Sequence, residues 1–147
     1  EEDADIELHV CGLAWEQSGK HRTLMYNVTV PLVRNNIDLI LLNSTPEEFS
    51  NAYKDPHRYI ALGELKGGID PAGADEHWKT AKTALARIRS AFEAEALNPM
   101  TFFVGAAVAK KMADEIWDDL QTQRLSNSAN LTSPDQVASL CNWITQL

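Results

Sequence analysis

The feature that most constrains this chain is the change of hydrophobic period inside RYIALGELKGGIDPAGADEHWKTAKTALARI, residues 58–88. Up to Lys66 the segment reads as one short apolar strand. A turn rich in small residues follows, with Gly67, Gly68, Pro71 and Gly73. From Asp75 to about Ala96, Trp78, Ala81, Leu85, Ile88 and Phe92 then recur at intervals of three and four, which is one stripe of an amphipathic helix. The opposite face carries Lys79, Lys82, Arg87 and Arg89. Strand, glycine turn and long one-sided helix in succession point to an α/β fold.

The flanking sequence continues the alternation. LMYNVTVPLV at 24–33 and IDLILLN at 37–43 are β-branched and apolar runs of strand length, separated by a polar RNN, and are expected to pair. STPEEFSNAY at 44–53 reads as a helix start, with Ser44 or Thr45 as cap and Pro46 at the first helical position, and Asp55-Pro56 ends it. After Asn98-Pro99 comes a fourth strand candidate, MTFFVGAAV at 100–108. A helix is expected over 109–124 with Met112, Ile116 and Leu120 inward, then a polar loop at 127–136, then a last helix capped by Thr132 or Ser133. With 147 residues and 44% hydrophobic content, one domain spanning 1–147 is the expectation.

Composition narrows the classes. A formal net charge of −8 argues against broad nucleic-acid binding, because neutralising phosphates requires clustered Lys and Arg. The charges are segregated, however. Acids gather in Glu1, Glu2, Asp3, Asp5 and Glu7 and again in Asp114, Glu115, Asp118 and Asp119, whereas 54–89 holds Lys54, Arg58, Lys66, Lys79, Lys82, Arg87 and Arg89, leaving room for a local basic face. Two distant cysteines, Cys11 and Cys141, read as reduced thiols, and no apolar run reaches membrane-spanning length, so a cytoplasmic protein without a membrane partner is expected. The chain opens on acids and without methionine, as expected of a domain from a longer chain or of a processed terminus.

Chemistry concentrates at the strand end. Residues two apart on a strand project from the same face, so Glu64 and Lys66 stand side by side, with Leu65 turned the other way and its carbonyl near them. Asp38 lies within the preceding apolar run, where a carboxylate needs a partner or a metal. Two carboxylates and a carbonyl form a hard oxygen set suited to Mg²⁺, with Lys66 placed to stabilise charge on a phosphate. The plain alternative is a surface salt pair at Glu64 and Lys66 that does nothing, with Asp38 as a capping or edge residue, His77 as a helix-start histidine beside Asp75 and Glu76, and Trp78 as core. An acid-x-Lys triplet arises by chance about once in a chain this long. Of the seven lysines, only Lys66 has an acid two residues before it.

Asp38 followed by Glu64-Leu65-Lys66 on successive strands resembles the PD-(D/E)xK nuclease pattern, and GELKGGIDPAGADEHWKTA is similar to type II restriction endonucleases of the AvaI/BsoBI group over about residues 34 to 108. The proline that names the motif is absent before Asp38, which is assigned by strand position and spacing. The resemblance implies a mixed central sheet flanked by helices. It implies Asp38, Glu64 and the Leu65 carbonyl as Mg²⁺ ligands and Lys66 as support for the attacking water. His77 takes the place of a histidine that joins the site, where an imidazole can act as base at neutral pH. Asp70 matches a position near base edges, where a carboxylate can accept from a cytosine amino group, and Lys79 and Lys82 are the nearby candidates for contact with DNA. The implied activity is hydrolysis of double-stranded DNA at a short palindrome, CYCGRG-like by analogy, leaving 5′-phosphates. A homodimer and a cognate DNA methyltransferase in the host follow. A repair or mobile-element nuclease of the same superfamily, or a non-catalytic α/β DNA-binding module, stand as alternatives.

Overall fold

The computed structural model describes residues 8–70 and 73–147; the acidic opening at 1–7 and Pro71 of the turn lie outside the described residues. Among the described residues six strands form one sheet in chain order: β1 (Gly12–Gln17), β2 (Lys20–Val30), β3 (Asn35–Leu42), β4 (Tyr59–Lys66), β5 (Met100–Gly105) and β6 (Asn127–Asn130). The pairings from β1 through β4 are antiparallel, and those of β4 with β5 and β5 with β6 are parallel. The α-helices lying wholly among the described residues are α1 (Phe49–Ala52), α2 (Ala74–Glu93), α3 (Lys110–Gln121) and α4 (Pro134–Gln146). This is the mixed sheet flanked by helices that the sequence led us to expect.

Parallel neighbours need crossovers, and α2 and α3 supply them. Both lie on one face of the sheet, where Trp78, Leu85, Ile88, Phe92, Met112 and Ile116 pack against Ile37, Ile40, Leu62 and Phe103. On the other face Leu140, Trp143 and Ile144 of α4 cover Leu41, Ala61, Phe102 and Val104. Gly63 sits opposite Phe102 in the β4–β5 register, and a Cβ there would fall 2.3 Å from that ring. A side chain at 63 would therefore force the adjoining strands apart.

Four expectations change. The hairpin strand β1 went unread, although Ser18-Gly19 is a two-residue turn with φ of 54° and 74°, the pairing of positive angles that suits the twist of a hairpin. The 44–53 helix shrinks to the single turn α1, with Glu48 rather than Ser44 or Thr45 as its cap and turns in place of helix at 46–48. The polar 127–136 loop contains β6, whose four residues NSAN lack strand composition but are laddered to β5. Ser133 caps α4 by position, but its side chain makes no capping hydrogen bond. Both cysteines are free and exposed.

A charged network ties α2 to α3. Trp78 is fully buried and its Nε1 donates to Glu115 Oε2 at 2.9 Å. Lys82 reaches Glu115 at 3.3 Å and Asp119 at 3.8 Å. Asp119, 2% exposed, accepts from Arg124 Nε at 2.7 Å.

Candidate active site

Asp38, Glu64, Leu65 and Lys66 meet at the carboxyl end of β4, the end of a parallel strand at which α/β proteins place their ligands. Glu64 and Lys66 share the face of Leu62, toward α2, while Leu65 is turned outward and exposed. Asp38 reaches them because its own strand opens at that residue. The β2–β3 pairs Tyr26–Leu39 and Val28–Ile37 skip the position where Asn27 faces Asp38, and Asn27 has φ of 53°. Toward β4 the register ends at Leu39–Gly63. Beyond that point the Asp38 carboxylate replaces the missing backbone partner: the Leu65 N–H donates to Asp38 Oδ2 at 2.7 Å.

Lys66 Nζ stands between the acids, 3.6 Å from Glu64 Oε2 and 3.8 Å from Asp38 Oδ2. Both distances are ion-pair contacts longer than a tight charged hydrogen bond. Glu64 is 5% exposed, and its Oε1 is buried without a hydrogen-bond partner among the described residues. Burial, with the Asp38 charge adding to it, pushes the Glu64 carboxyl up to about 7, against the opposing pull of Lys66. A buried carboxyl raised in this way, with an orphaned oxygen, is short of positive charge. The donor set fits a hard divalent cation on that ground: two carboxylates and the Leu65 carbonyl could hold Mg²⁺, with water completing its shell. Among the described residues no three His, Cys, Asp or Glu side chains converge, so an all-side-chain cage of the kind that holds zinc is absent there.

The remaining candidates lie on the turn after β4 and on α2. His77 is exposed on the first turn of α2, its backbone N–H bonded to the Gly73 carbonyl at 3.0 Å, while Trp78 beside it points into the core against Phe103. The imidazole makes no hydrogen bond or ion pair among the described residues, and its Nε2 lies against the backbone of Gly68, two residues beyond Lys66. Asp70 is exposed on the turn and its carbonyl accepts from the Gly73 N–H at 3.1 Å. Lys79 is paired with Asp75 at 2.6 Å, and Lys82 belongs to the α2–α3 network. Sequence reasoning passed over Asn27 and Gly68; the available signals were that Asn adopts left-handed backbone with little cost and that the turn doubles its glycines.

The family profile described as restriction endonuclease BsobI matches residues 1–147. The chain belongs to the BsobI restriction endonuclease family. Within the range of that family it is 60% identical over 148 residues to the type II restriction enzyme AvaI of Nostoc sp. and, to the same extent, to AvaI of Anabaena variabilis. It is 56% identical over 149 residues to the type II restriction enzyme BsoBI of Geobacillus stearothermophilus. All of this chain is covered in each case, but only 46–47% of the relative, so the chain spans about half the length of the curated relatives it matches. The residues in contact at the end of β4 are thus those of a restriction-endonuclease family member.

Proposed function

We propose that this chain is the catalytic portion of a type II restriction endonuclease that hydrolyses phosphodiester bonds of double-stranded DNA in a Mg²⁺-dependent reaction and leaves 5′-phosphates. The observation that carries the reading is the buried Glu64 carboxylate, orphaned at one oxygen and facing Asp38 across Lys66. A structural salt pair has no use for a buried acid left unsatisfied at one oxygen.

Asp38, Glu64 and the Leu65 carbonyl would hold the cation, and the Leu65 N–H keeps the Asp38 carboxylate turned toward Glu64. A bound Mg²⁺ supplies Lewis-acid polarisation of the phosphate and of the attacking water. Lys66 stabilises negative charge as it grows on the phosphate, and its ammonium is kept at the reacting centre by two acids rather than one. His77 accepts the proton of the water, a task for which imidazole is suited near pH 7. Asp70, on the exposed turn, reads a base edge by accepting from a cytosine amino group, and Lys79 and Lys82 approach phosphates. A palindromic CYCGRG-like target, a homodimer matched to it, a cytoplasmic location and a protective methyltransferase in the host belong to the same reading.

Supercoiled plasmid incubated with the full-length protein and Mg²⁺ is the test. Discrete linear fragments are expected, with none in EDTA, and Lys66→Ala is expected to slow cleavage on the order of 10²–10³-fold. An untouched plasmid, or a Lys66→Ala protein that cuts as well as wild type, sinks the assignment; nicking or a smear transfers it to a superfamily nuclease outside restriction.

A further inference from the structure

The turn between β4 and α2 holds Gly67, Gly68 and Gly73, yet none of the three has a positive φ; among the described glycines only Gly19 does. Left-handed backbone therefore does not explain why glycine stands there. Space does, at two of the three positions. A Cβ on Gly68 would lie 2.8 Å from His77 Nε2 and 3.3 Å from its Cδ2. One on Gly73 would lie 3.4 Å from the same Nε2 and 3.6 Å from Cδ2. A Cβ on Gly67 would meet nothing within 4 Å among the described residues.

We propose that Gly68, and more weakly Gly73, are positioning residues for His77: bare backbone at these two points forms the seat in which the imidazole lies. The inference rests on His77 acting in cleavage. His77 makes no side-chain hydrogen bond or ion pair among the described residues, and among them it is shape that places the ring. Its helical neighbour Trp78 fixes the direction of the Cα–Cβ bond by being locked into the core, and the two glycines limit where the ring can go. A methyl group at 68 comes too close to the ring, and what must yield is the far end of a rotatable side chain rather than backbone. Gly68→Ala therefore displaces the imidazole while sparing the fold. Gly73→Ala presses at ordinary contact distance and shifts it less. Gly67→Ala leaves it in place.

The test compares these three variants with His77→Ala in the full-length protein. In single-turnover cleavage, His77→Ala and Gly68→Ala should each be slower on the order of 10²-fold, Gly73→Ala by less, and Gly67→Ala not at all. In the double variant Gly68→Ala with His77→Ala, the rate should equal that of His77→Ala alone, because the methyl group then has nothing to displace. The imidazole resonances of His77, assigned by their loss in His77→Ala, should move in Gly68→Ala and stay put in Gly67→Ala. Additive losses in the double variant, or unmoved His77 resonances in Gly68→Ala, overturn the inference. So does a Gly68→Ala protein that fails to fold, since a side chain able to swing aside would have protected the fold. If His77→Ala cleaves at the wild-type rate, the catalytic reading of His77 falls and the positioning role with it. If His77→Ala is slow and Gly68→Ala is not, His77 stands and the seat is wrong.

Discussion

Two clusters of acids and bases flank the same helix, and they are built on opposite principles. At the α2–α3 contact the buried Asp119 is bonded to Arg124 at 2.7 Å and faces Lys82, while Glu115 accepts from both Trp78 and Lys82. Every acid that leaves water there finds a donor, and the result is a clamp between helices. At the end of β4 the equally buried Glu64 has one oxygen without a partner and a lysine only at 3.6 Å, beside a second acid. Composition cannot separate the two, since each contains acidic residues around a lysine. Satisfaction of the buried oxygens does: a fully paired cluster holds structure together, and one with an orphaned buried oxygen is what the proposed cation site requires.

The comparison can be broken where it predicts opposite signs. The Glu64 carboxyl is raised from 4.5 to about 7, so its favourable contribution is present below pH 4.5 and is lost as pH rises through about 7. In EDTA, the melting temperature of the full-length protein should therefore fall across that window, and Glu64→Gln should remove the fall, leaving the variant more stable at pH 8 by about 3 kcal/mol. Superimposable pH profiles for the two proteins would end the claim that Glu64 is strained. Asp119→Ala should do the reverse and destabilise by about 2 kcal/mol, the scale of a charged hydrogen bond, while the folded fraction still cuts DNA. A stabilised Asp119→Ala protein in urea unfolding would mean that the clamp is no clamp. The smallest effect is expected at Lys79, whose pairing with Asp75 is exposed. If it also meets a phosphate, Lys79→Ala should lower the slope of log affinity against log salt by about 0.9, whereas an unchanged slope leaves it a helix-surface pair.

Wherever an element's own period and composition fixed its surroundings, it could be read before it was seen. The stripe from Trp78 to Phe92 forced α2 onto a sheet, and IDLILLN and RYIALGELK had to be neighbours in a core. Glu64 and Lys66 share a face because alternation along a strand permits nothing else. Their resemblance to a nuclease pattern was legible for the same reason, and that resemblance alone singled out His77 from an ordinary helix-start histidine.

What period and composition by themselves leave open is how one segment of the chain completes another. NSAN becomes a strand only because β5 offers it an edge. Asp38 is a partner of Glu64 and Lys66 because the ladder opens at Asn27 and the Leu65 N–H captures its carboxylate. Gly68 matters because the ring of His77, nine residues later, lies on it. Local propensity and period are properties of consecutive residues; a shared desolvated site, an orphaned oxygen and a missing Cβ acquire their meaning only when distant parts of the chain are packed together.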